Sequence, residues 1–149
     1  RLALYKRIAA APGDTELDDM VTEIVDRFGD IPTAGMNLVR IARLRVRARR
    51  VGIRRMDFGA HGGYLLFEEQ NSADPRAVLK LIQDRSRDYR LDGALKLRVS
   101  RELDDENERF DFATSLLTLL APADTPADGT MPTTQTPSGD RSTKSGRRL

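Results

Sequence analysis

The sequence has no cysteine, no tryptophan and a single histidine. Without cysteine, neither a disulfide framework nor a thiolate metal site can form, which suits a reducing cytoplasm. One imidazole cannot build a histidine metal centre, and no acidic loop has calcium-binding spacing. No apolar run approaches the ~18–20 residues that span a bilayer, so a membrane partner is not expected. The opening Arg1-Leu2-Ala3-Leu4-Tyr5-Lys6 has neither the long apolar stretch nor the small-residue cleavage site of a signal peptide. It also lacks an initiator methionine and enters a helical pattern without a cap, so the chain reads as a fragment whose upstream part is absent.

What is present is charge, and it is segregated. The formal net charge is only +2. Yet Asp14, Glu16, Asp18, Asp19, Glu23, Asp26 and Asp30 face only Arg27 across residues 14–30. From Arg40 to Arg55 there are arginines at 40, 43, 45, 47, 49, 50, 54 and 55, and no acid.

Hydrophobic spacing gives the order ααα-ββ-α-ββ-α. Leu4, Ile8 and Ala11 mark a first helix ended by Pro12-Gly13. Leu17, Met20, Val21, Ile24, Val25 and Phe28 form the apolar stripe of a second, with Thr15 and Asp18 as an approximate capping box and Gly29 after it. A third helix runs from Ala34 to Val51 on a stripe of Leu38, Ile41, Leu44, Ala48 and Val51, and Gly52 ends it. Ile53–Phe58 and Tyr64–Glu68 read as a hairpin across Gly59-Ala60-His61-Gly62-Gly63. Asp74-Pro75 opens a short helix. Tyr89–Leu91 and Leu95–Val99 form a second hairpin, with Asp92-Gly93 suiting a type I′ turn. A last helix from Asp104 turns Phe110, Ala113, Leu116, Leu117 and Leu120 inward. The predicted fold is α+β, with helices packed on a small sheet built from two β-hairpins over residues 1–121. Residues 122–149 are too polar to offset the ~1–2 kcal/mol per residue of backbone ordering, so a disordered polar tail is expected there.

No constellation calls for catalysis. His61 sits in a glycine-rich turn that joins two strands, lacks phosphate-loop spacing and has no helix N-terminus to offer a phosphate. Serines 72, 86, 100 and 115 lack a nucleophile elbow. Acid pairs such as Glu68-Glu69 and Asp104-Asp105 fit strand ends and helix starts. The chain is therefore expected to be non-catalytic.

Two charged features remain. Arg40, Arg43, Arg47, Arg50 and Arg54 recur at intervals of 3 and 4 as one basic stripe. Its bland reading is a solvated face paired with the acidic second helix or the acidic start of the last. Its functional readings are a protein-facing surface or a module that tracks nucleic-acid phosphates, although no aromatics interleave with it. On the second helix, Glu23, Asp26 and Arg27 lie at i, i+3 and i+4 and so share one patch. By residue type alone, local helix pairing worth ~0.2–0.5 kcal/mol per pair accounts for them.

A resemblance changes that weighting. Arg1-Leu2-Ala3-Leu4-Tyr5-Lys6-Arg7-Ile8, Asp26-Arg27-Phe28-Gly29 with Pro32, Ile41-Ala42-Arg43-Leu44-Arg45, and Tyr89-Arg90-Leu91-Asp92-Gly93 occur in this order. Together they resemble the C-terminal domain of bacterial transcription-repair coupling factors over residues 1–121. Such a protein is an ATP-driven DNA translocase that displaces RNA polymerase stalled at a lesion and recruits the excision-repair protein UvrA. The resemblance implies no cofactor in this chain, since ATP and magnesium belong to upstream motor domains. It also implies a cytoplasmic regulatory domain that packs on the UvrB-like N-terminal module of its own protein and covers the surface used by UvrA. The family's interdomain contacts map onto Glu23, Asp26 and Arg27. The arginine density of the third helix and the polar tail have no counterpart in what the resemblance implies.

Overall fold

Local signals decide where the elements begin and end. The computed structural model describes residues 2–122. Its order is α1 (Leu2–Ala9), α2 (Asp14–Phe28), α3 (Thr33–Val51), β1 (Ile53–Gly59), β2 (Gly62–Phe67), α4 (Pro75–Asp84), β3 (Tyr89–Asp92), β4 (Lys96–Ser100) and α5 (Glu106–Leu120). The α+β class and the element order are as the sequence predicts. The expected tail lies, beyond Pro122, outside the described residues.

Asp74 caps α4 by accepting a hydrogen bond from the Arg76 N–H at 3.0 Å, with Pro75 supplying a preset φ at the first helical position. At α5 the Asp105 carboxylate accepts from the Glu108 N–H at 2.8 Å, and Glu108 accepts from the Asp104 N–H at 3.0 Å. Two orphan donors are thereby satisfied reciprocally. The capping box expected at Thr15 does not form. α2 starts two residues earlier, behind Gly13, with no side-chain cap, and the Asp18 carboxylate is drawn to Arg43 instead.

The four strands form one antiparallel sheet in the order β1-β2-β4-β3, so β1 and β3 are its edges. Pleating sends Leu65, Phe67, Leu97 and Val99 to the buried side. On the other side Lys96 lies 4.4 Å over the Tyr64 ring, and Arg98 donates to Asp92 at 2.7 Å. That hydrogen bond holds the Asp92 carboxyl below its ordinary pKa. The second hairpin closes with a three-residue loop, Gly93-Ala94-Leu95, because Asp92 pairs with Lys96. The expected type I′ turn needs positive φ at two residues, and only Gly93 (φ 74°) has it.

The interior has two parts. One packs Ala48, Val51, Ile53, Leu65, Phe67, Leu81, Tyr89, Leu97, Val99 and Leu103 against Phe112, Leu116, Leu117 and Leu120 of α5. The other is all-helical, from Ile8, Ala11, Leu17, Ile24, Val39, Ala42 and Val46. α3 serves both, which is why its buried face departs from the single stripe expected of it. Val39, Ala42 and Val46 turn to the helical cluster with α1 and α2; Ala48 and Val51, at the end of α3, turn to the sheet. Ile41, expected inside, is left 46% exposed. In α5 the core aromatic is Phe112, which meets Phe58 edge-on at 5.4 Å. Phe110 sits at the margin of the stripe, half-buried beneath Arg40.

Candidate docking site

The last two turns of α2 bring Glu23, Asp26 and Arg27 to the surface, as their spacing predicts, but they are not three equivalent free charges. Glu23 accepts from Arg7 of α1 at 3.4 Å and pairs with Arg27, one turn on, at 3.6 Å. Both pairs are solvent-exposed and worth only ~0–1 kcal/mol each. Asp26 is exposed and makes no ion pair among the described residues. Gly29, at φ 81°, ends the helix, with its N–H donating to the Val25 carbonyl at 2.9 Å.

The residue that sequence reasoning misplaces is Phe28. By spacing it belongs to the buried stripe with Leu17 and Ile24, yet it is 74% exposed, and Val25 is 41% exposed. The final turn of α2 runs past the cover that the described part of α1 and the start of α3 provide. Beside Phe28 lies an open groove of about 530 Å³ between α1, α2 and α3, floored by Leu4, Ile8, Ile24 and Ile31 and rimmed by Tyr5, Arg7, Glu23, Arg27 and Asp30. A solvent-facing phenylalanine beside an apolar groove with charged residues in its lining has the anatomy of a protein interface: an apolar centre with a polar rim. Arg7 was also missed, because its role depends on how α1 lies across α2, which periodicity does not carry.

The arginine stripe is dismantled by its surroundings. Arg43, on the face of α3 that meets α2, donates to Asp18 at 2.8 Å and to Asp14 at 3.2 Å. The hydrogen bond to Asp18 raises its pKa above the ordinary guanidinium value, against burial acting the other way. Arg50 approaches Asp14 at 3.9 Å. Arg40 donates to Asn107 at 2.7 Å and lies 4.6 Å above the Phe110 ring. Gly52, with φ 88°, ends α3 before Arg54, which is carried on β1 rather than on the helical stripe. Of the five predicted stripe residues, Arg40, Arg43 and Arg50 thus hold the helices together, while Arg47 and Arg54 make no ion pair among the described residues.

His61 is at the exposed tip of the first hairpin, 3.0 Å from Glu102. Among the described residues, no group of three histidine or carboxylate side chains is placed to hold a metal ion, and no helix is long and apolar enough to cross a membrane.

An α+β domain of this order is the architecture of a solved crystal structure described as the C-terminal domain of transcription-repair coupling factor. The two align with a TM-score of 0.62 over 80% of each chain at 19% identity, a likeness of fold. Residues 1–78 match the model of the TRCF domain, and the chain belongs to that family. It is 38% identical over 121 residues to the transcription-repair-coupling factor of Haemophilus influenzae, covering 81% of this chain and 11% of that protein. It is likewise 38% identical over 112 residues to that of Escherichia coli K12, covering 75% of this chain and 10% of that protein. The chain thus spans about a tenth of the length of these relatives.

Proposed function

We propose that this TRCF domain is a non-catalytic regulatory clamp. It docks, through the last turn of α2, on the UvrB-like N-terminal module of a transcription-repair coupling factor, masks the surface that recruits UvrA, and restrains the translocase in the cytoplasm. The observation that carries the proposal is Phe28, 74% exposed at the end of α2 beside an apolar groove whose lining includes Glu23 and Arg27. Burial of one phenylalanine is worth roughly 1.5–3 kcal/mol, and a few exposed pairs add up to ~1 kcal/mol each. That total suits a latch that a competing conformation opens, because a population switch needs differential binding of a few kcal/mol. On this reading ATP and magnesium are bound by motor domains elsewhere in the protein, and RNA polymerase, DNA and UvrA are reached through them.

The reading of the arginine stripe as a nucleic-acid surface draws less support, since Arg40, Arg43 and Arg50 are engaged within the chain. Reversal of Glu23 and Asp26 to lysine in the full-length protein is expected to raise UvrA capture in a pull-down several-fold. Unchanged capture by a folded variant would remove the masking role.

A further inference from the structure

Arginines outside the predicted stripe, together with Arg54, line a second groove, on the other side of α3 from the α2 acids. It has a volume of about 670 Å³ and lies between α3, α5 and the edge strand β1. Arg45 and Arg49 of α3, Arg54 and Arg55 of β1, and Arg109 of α5 line it, against two acids, Asp57 and Glu106. A β-bulge between Ile53 and Arg55 sets both Arg54 and Arg55 opposite Leu66, so two successive guanidiniums leave the strand at one point. Arg45, Arg49, Arg54 and Arg55 make no ion pair among the described residues. Arg109 is held by the Leu103 carbonyl at 3.0 Å. Ile41, Leu44, Met56, Phe58 and Phe110 supply an apolar floor.

Charges on an edge strand ordinarily keep it from pairing with another sheet. That accounts for Arg54 and Arg55 but not for Arg45 and Arg49 on a helix, nor for an apolar floor with Ile41 46% exposed. Nucleic acid fits less well. Phosphate tracking is carried by the cations and leaves the apolar floor without a partner, and base stacking needs open aromatic faces. The Phe110 face is covered by Arg40 at 4.6 Å, and Phe58 is packed edge-on against Phe112. A basic rim around an apolar floor complements a chain segment that carries carboxylates and large aliphatic side chains together.

We infer that the α3–β1–α5 groove is a second docking site, separate from the α2 face, which binds an acidic protein segment with interspersed apolar residues. The test is fluorescence anisotropy with the 149-residue chain and a labelled ~12-residue peptide of glutamates and leucines at helical spacing, at about 0.15 M salt. Binding is expected to weaken about tenfold or more when the peptide's leucines become serine, and again in an Arg45→Glu/Arg49→Glu/Arg55→Glu variant, but not in Glu23→Lys/Asp26→Lys. The substituted arginines are exposed, and circular dichroism is the check that the variant is folded. Three results would each overturn the inference: no peptide binding; binding indifferent to the leucines or to the three arginines; or displacement by duplex DNA with a steep salt slope.

Discussion

Gly62→Ala is expected to destabilise the chain by roughly 3 kcal/mol or more, because it combines backbone strain of ~1–3 kcal/mol with overpacking of ~1–3 kcal/mol. Gly62 has φ 110°, a conformation that side-chain-bearing residues rarely adopt. A Cβ there would meet the Val99 carbonyl oxygen and lie 2.9 Å from the Val99 carbonyl carbon and 3.0 Å from the Arg101 nitrogen. Those atoms are backbone on the neighbouring strand, so relief requires β2 and β4 to separate where Gly62 pairs with Ser100. Gly93, at φ 74° with open space around it, isolates the strain component, and its alanine variant is expected to cost ~1 kcal/mol. Urea unfolding checks both. Equal shifts for the two variants would show that contact with Val99 does not matter.

Leu17→Ala is expected to cost about 3 kcal/mol, as cavity-forming substitutions of a fully buried leucine do. Leu17 is 0% exposed at the centre of the smaller, all-helical cluster. That cluster has few large side chains to close the cavity, so α1 and α2 should open while the sheet stays formed. Native-state hydrogen exchange reads this directly: protection is expected to fall in α2 and persist in β2 and β4. A uniform loss across both clusters would mean that α3 couples them into one cooperative unit.

Short-range chemistry was the most legible part of the sequence. Asp74-Pro75, Gly29 and Gly52 punctuate helices for reasons confined to a few residues, and they do so in the structure. In β2, Leu65 and Phe67 are buried and Tyr64 and Leu66 half-buried, a distinction that the run Tyr64-Leu65-Leu66-Phe67, apolar throughout, does not carry. Burial along α3 was not legible, since periodicity gives one stripe and this helix is shared between two clusters. The same limit moved Ile41 from the expected core to the surface; on α5 the structure buries Phe112, where spacing pointed to Phe110. Phe28 is a related case, because spacing says which side of a helix a residue lies on but not how far the neighbouring helix reaches. Charge partners were legible only as alternatives. That acids of residues 14–30 face arginines of 40–55 is visible in the sequence; that Arg43 takes Asp14 and Asp18 while Arg45 and Arg49 are left for a groove depends on how α3 is rotated.

If the end of α2 is a protein-docking face, the chain binds the separately purified UvrB-like module in a titration, and charge or polarity changes on that face weaken the complex. Phe28→Asp and Asp26→Lys, each confirmed folded, are expected to weaken the complex about tenfold or more, equivalent to ~1.4 kcal/mol, while Arg45→Glu leaves it unchanged. Wild-type affinity in both α2 variants would mean that the end of α2 does not dock on that module.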